Sequence, residues 1–116
     1  MIEQWLEELK KNADPEALGM ILVHNGIVRA TSKAGKPVTG MNLAYDKVKL
    51  ETVITEYKKK DGIADIRVRI GSGDLRVGDD IMIVLVAGRF RTDVFPVFES
   101  LISLIKNEIV KERESA

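Results

Sequence analysis

Five cations and one imidazole are the groups in this sequence whose types and positions suit work on an anion or a proton: Arg29, Arg89, Arg91, Lys106, Lys111 and His24. The chain has no cysteine, so disulfides, thiolate-bound zinc and thiol nucleophiles are excluded by count. Acid–base chemistry falls to Lys, Asp, Glu or Tyr. Arg29 closes a long apolar strand run, and Arg89 and Arg91 flank Phe90 just ahead of the last helix. Free N–H groups and the helix dipole favour an anion there, and a phosphate would suit the place. Lys106 lies two thirds of the way along that helix, off the apolar stripe of Ile102, Ile105 and Ile109, with Lys111 near its end. Taken singly, each lysine reads as a solvated cation, and only convergence gives it a task. His24, the only histidine, sits inside an apolar run and reads as a partly buried or edge-strand residue; one histidine without cysteine gives no protein metal site. Gly71-Ser72-Gly73 lacks the second half of a dinucleotide fingerprint and reads as a connecting loop.

Those groups need a scaffold. Ile2, Trp5, Leu6 and Leu9 recur at helical spacing and predict a surface helix to about Asn12, followed by one turn at Asp14-Pro15-Glu16. The run from Gly19 to Ala30 predicts one long strand with a bulge at Asn25-Gly26. Val38 to Tyr45 predicts a second, and the two suggest a β-ribbon joined by a mobile basic loop. Asp46 caps a helix carrying Val48, Leu50, Val53, Ile54 and Tyr57, which stops at Lys58-Lys59-Lys60-Asp61-Gly62. Ile63 to Ile70 alternates as a strand with one wet face. Ile81 to Ala87, apolar on both sides, predicts a central strand. The final helix carries Phe95, Phe98, Leu101, Ile102, Ile105 and Ile109, capped by Thr92 or Asp93 with Pro96 in its first turn, and the tail KERESA frays. The order α-β-β-α-β-β-α makes a single α+β domain over residues 1–116, with helices packed on a largely antiparallel sheet.

Composition removes other classes. The 18 basic and 18 acidic side chains balance, which argues against a domain held to nucleic acid by bulk charge. Lys58-Lys59-Lys60 reads as a solvated helix end, with aromatics at only 5%. No apolar run approaches the ~20 residues of a membrane span, and the acidic, amphipathic start differs from a signal peptide. The expectation is a cytoplasmic protein. Spacing also constrains the cations: fifteen positions at 1.5 Å rise put Arg91 and Lys106 about 20 Å apart along one helix. One small phosphorylated molecule does not bridge that span within a chain. Shared use of one substrate therefore implies a two-fold homodimer that brings the arginine end of one copy to the lysine end of the other.

Several segments together resemble a known family. Asn25-Gly26-Ile27-Val28-Arg29 is similar to the gly-x-val-arg strand ending of the large, catalytic subunit of molybdopterin synthase (MoaE-like). Met41-Asn42-Leu43-Ala44-Tyr45 resembles its leu-glu-x-tyr strand, and Arg69-Ile70-Gly71 with Asp74-Leu75 its arg-ile-gly-glu-leu segment. Val77-Gly78-Asp79 is similar to its pro-gly-glu/asp turn, and Val84 to Lys106 to its strand, his-arg motif and long helix ending in leu-lys. The resemblance covers nearly the whole chain and implies an α/β hammerhead type of fold. It implies a sulfurtransferase that converts cyclic pyranopterin monophosphate to the dithiolene of molybdopterin. The sulfur comes from the C-terminal Gly-Gly thiocarboxylate of a small ubiquitin-like subunit, in a heterotetramer built on a central homodimer, with no cofactor. It also implies Lys106 and Lys111 as catalytic residues and Ile27, Val28, Arg29, Phe90, Arg91, Lys106 and Lys111 as substrate contacts, with Arg29 and Arg91 on the phosphate.

The sequence departs from that pattern at Phe90, where the family has histidine, and between Lys106 and Lys111, where the family has a longer segment with a pro-x-trp element. The Arg69–Leu75 turn carries two extra residues. These differences define the rival expectation, a non-catalytic anion- or partner-binding relative that keeps the fold and has lost turnover.

Overall fold

A computed structural model describes all 116 residues. Helix α1 (Ile2–Asn12) places Glu3 in its first turn and Lys10 and Lys11 in its last, each complementing the helix dipole. Strand β1 (Met20–Ile27) runs through Asn25 unbroken, and the irregularity expected there lies between Gly26 and Ile27. Strand β2 (Gly40–Tyr45) leads into α2 (Lys47–Lys58), where the Asp46 carboxylate accepts from the Lys49 N–H at 3.0 Å as the sequence predicts. Strands β3 (Ile63–Ile70), β4 (Gly73–Arg76) and β5 (Asp80–Gly88) precede α3 (Arg91–Leu104). A π-helical turn (Ile105–Ile109) and strand β6 (Val110–Ser115) complete the chain.

The strands form two three-stranded antiparallel sheets, β1-β5-β3 and β4-β2-β6. Strand β5 is central in the first, in line with its two apolar faces. Leu85 and Ala87 meet Leu9 of α1 on one side, joined by Ile21 and Val23 of β1. Met82, Val84 and Val86 face the other side, where Ile66 and Ile70 of β3, Leu50 of α2 and Val94, Val97, Leu101 and Ile105 close the main core. Met41 and Leu43 carry that core into the second sheet.

Several expectations are corrected. Strands β1 and β2 form no ribbon: they belong to different sheets, and the basic loop between them is held by a bridge between Thr31 and Pro37, by hydrogen bonds of its own and by Thr39, which donates to the Ser115 carbonyl. The loop read at Gly71–Asp74 turns into β4, paired with β2. The tail does not fray. Its alternation of Lys111 and Arg113 with Glu112 and Glu114 is a strand period, and β2 offers it a free edge. The element order is therefore α-β-β-α-β-β-β-α-β. The last helix opens at Arg91 with Phe90 in the cap position and no side-chain cap, because Asp93 is engaged with Arg89. Pro96 consequently falls in the second turn. The buried stripe is Val94, Val97, Leu101 and Ile105, while Phe95 stands outside at 51% exposure.

Candidate functional site

Helix α3 fixes where the cations go. Met20 pairs with Gly88 at the end of β5, so α3 starts beside the beginning of β1 and packs back along that strand. Arg91 therefore lies near the first residues of β1, and Lys106 near its last. Arg29 follows directly from that last end, its guanidinium donating to the Thr31 hydroxyl at 3.1 Å. Val28 anchors it: the side chain is 2% exposed, its N–H donates to Asp79 and its carbonyl accepts from Gly78. Ile27 beside it is 49% exposed.

The loop that continues from Arg29 forms one wall of a cleft of about 580 Å³, with Ser32, Lys33 and Ala34 facing Lys106 and Asn107. The other wall is β6, through Val110, Glu112 and Glu114. The structure thus gathers Arg29, the basic loop and Lys106 at one end of the molecule. Arg91 lies at the far end of α3 in a shallow, separate hollow with Thr92, Phe95 and Pro96. Lys111 belongs to a third cleft with Ala44, Tyr45 and Asp46, because it points from the face of β6 opposite Glu112 and Glu114. The two glutamates opposite Lys106 are residues that the sequence reading missed, and the signal for them was the tail's period of two.

Several of the cations are tied up in pairs within the fold. Arg89, a candidate anion ligand by position, is held by Asp61 at 3.6 Å and Asp93 at 3.4 Å and lies over the Phe90 ring. In the basic helix end, Lys58 bridges to Asp65 at 3.2 Å, Lys59 lies 3.9 Å from Glu56 and Lys60 sits over Tyr57. Arg67, paired with Glu8 and Asp65 across the α1 face, has its pKa raised chiefly by the Glu8 hydrogen bond. Arg29, Arg91, Lys106 and Lys111 make no ion pair. Lys33, Lys36, Arg69 and Arg76 are likewise unpaired.

Comparison with known proteins matches residues 2–108 to a family model described as MoaE protein. The chain belongs to the MoaE family. Solved structures agree in fold. Molybdopterin synthase from Staphylococcus aureus superposes with a TM-score of 0.78 at 21% identity, over 99% of this chain and 84% of that one. A complex of subunits 1 and 2 of the molybdopterin-converting factor from Helicobacter pylori 26695 gives 0.76 at 19%, over 97% and 74%. The molybdopterin biosynthesis MoaE protein from Burkholderia ambifaria MC40-6 gives 0.73 at 21%, over 99% and 78%. No curated protein sequence matches. MoaE membership gives this chain a role in molybdenum cofactor biosynthesis. No helix is long and apolar enough to cross a membrane.

Proposed function

We propose that this MoaE protein is the catalytic subunit of a molybdopterin synthase. It takes sulfur from the C-terminal thiocarboxylate of a small ubiquitin-like carrier and places it on cyclic pyranopterin monophosphate to form the dithiolene. The observation that carries the reading is Lys106. Within a chain matched to MoaE across residues 2–108, it is exposed, free of ion pairs and set in a cleft between a basic loop and β6. Such a lysine can neutralise the carrier's anionic terminus and move a proton at the polarised carbon.

In this reading Arg29 and Arg91 hold the substrate phosphate, beside Ile27, Val28 and Phe90, and Lys111 is the second catalytic lysine. Arg91 and Lys106 occupy opposite ends of α3, so the complete site takes two copies, the arginine of one meeting the lysine of the other. The Helicobacter pylori complex is a protein–protein complex of two different subunits, which supports a small partner subunit for this chain as well.

The test supplies purified protein with thiocarboxylated carrier and precursor. Lys106→Ala is expected to abolish dithiolene formation with folding intact, and normal product from that variant overturns the role. Phe90 supports a second reading, a non-catalytic relative: 58% exposed under Arg89, it puts a hydrocarbon ring where the family has histidine. Calorimetric binding of the precursor without turnover, in the presence of the loaded carrier, would select that second reading.

A further inference from the structure

One titratable side chain has no task in the reaction as drawn above. His24 is the only imidazole in the chain. Side chains alternate across β1: Ile21 and Val23 pack towards α1, whereas Met20 and Leu22 pack into the core beneath α3. By the same alternation His24 lies on the α3 face, opposite Val84 in the register with β5. The next position on that face is Gly26. A Cβ there would stand 3.3 Å from His24 Nε2 and 3.7 Å from Met82 Cγ. The imidazole therefore leans along the strand, over its glycine, towards the end of β1 that carries Arg29. This is the end at which α3 delivers Lys106.

Lys106 is the charged group whose field lowers the proton affinity of the ring. The ring's neighbours on the sheet, Leu22, Gly26, Met82 and Val84, are uncharged. The other charged groups on the elements beside that face are Arg91, Asp93 and Glu99 of α3, Glu108 of the π-turn, and Arg29, Lys33 and Lys36 of the following loop. Partial burial first, and the Lys106 charge second, hold the His24 pKa below its ordinary value. At neutral pH the imidazole is therefore uncharged and keeps a lone pair free to accept a hydrogen bond.

We propose that His24 is a positioning residue for Lys106: no hydrogen bond links the two in the structure, and from the α3 face of β1 the ring's acceptor nitrogen receives the lysine's ammonium during the reaction and aims it at the cleft bounded by Ser32–Ala34 and β6. The role rests on the synthase reading, whereas the juxtaposition does not. Acid places a second positive charge beside the lysine and turns the acceptor into a donor, so orientation is lost as His24 protonates.

Two measurements test this, and they fail independently. The first is the NMR titration of the His24 ring in the wild-type protein and in Lys106→Met, which needs no turnover. Removing the charge is expected to move the His24 midpoint upward, and an unchanged midpoint overturns the pairing. The second is the pH profile of dithiolene formation with thiocarboxylated carrier and precursor. His24→Phe is expected to lower kcat about ten- to a hundredfold, the worth of one hydrogen bond to a charged group, with KM nearly unchanged. His24→Gln, which restores an acceptor, is expected to recover part of kcat while losing the acid limb that in the wild type coincides with the NMR midpoint. Wild-type kcat and acid limb in His24→Phe overturn the positioning role and leave the synthase reading standing. A wild-type protein that forms no product overturns the reaction and this role with it, while the titration still shows whether the pair exists.

Discussion

Lys106 and Lys111 are five positions apart yet open onto different clefts, because the π-helical turn ends between them and β6 then turns Lys111 to the face away from Glu112 and Glu114. Groups that touch neither each other nor a common partner contribute separately. In a double-mutant cycle of Lys106→Ala and Lys111→Ala, read as kcat/KM for dithiolene formation, the coupling is expected to stay within about 0.5 kcal/mol. A coupling above about 1 kcal/mol would mean that the two lysines share one site in the working assembly.

Strand β6 covers Met41 and Leu43 through its pairing with β2 and adds Val110 to the core. Ending the chain after Ile109 removes those contacts and leaves one edge of β2 bare. Urea denaturation should show a loss of about 2–5 kcal/mol, the range for deleting a large buried apolar group. A truncated protein as stable as the full chain would show that the tail contributes nothing to the fold.

Gly62 and Gly35 both adopt left-handed backbone, with φ of 81° and 82°, but their surroundings differ. A Cβ at position 62 meets the Asp93 carboxyl carbon at 2.3 Å, whereas one at position 35 meets nothing within 4 Å. Gly35→Ala should cost about 1 kcal/mol of stability, and Gly62→Ala about 2–3 kcal/mol because Asp93 must also leave Arg89. Equal melting temperatures for the two variants would remove the steric argument.

Stability should depend on His24 in mild acid. Its folded pKa is lowered, so between that value and about 6.5 the unfolded chain binds more protons than the native one. Stability is therefore full above pH ~6.5 and falls as the pH drops towards the folded pKa. His24→Leu should flatten the stability curve just below about pH 6.5, above the range in which most carboxylates titrate. An unaltered slope in that window would show that the ring is not held neutral by the fold.

Much of this architecture is legible in the residues. The apolar run of β5 announces a central strand, Asp46 announces α2, and the segments from Asn25 to Arg29 and from Val84 to Lys106 announce the family. What escaped depends on contacts made far along the chain. A strand of alternating charges such as Lys111 to Ser115 has no apolar face and forms only because β2 waits with an open edge. Strand β4 is four residues long and has the turn glycine at its start. The N-terminus of α3 was misplaced because Thr92 and Asp93 are good caps by type, while Asp93 is drawn off by Arg89 and by the space above Gly62. His24 is the partly buried, edge-strand residue that its apolar run predicts, while the helix that starts 67 positions later and packs along its strand is not legible there.

The placing of β2 bears on how the chain is made. The strand is complete at Tyr45, yet one neighbour arrives with Gly73–Arg76 and the other only with Val110–Ser115. During synthesis Gly40–Tyr45 must leave the ribosome with both backbone edges unpaired; β4 can close one edge once Arg76 has emerged, and the other stays open until Val110–Ser115 follows. Pairings this distant in sequence slow folding, and they leave the nascent protein open to sticking to its own kind until β6 is released.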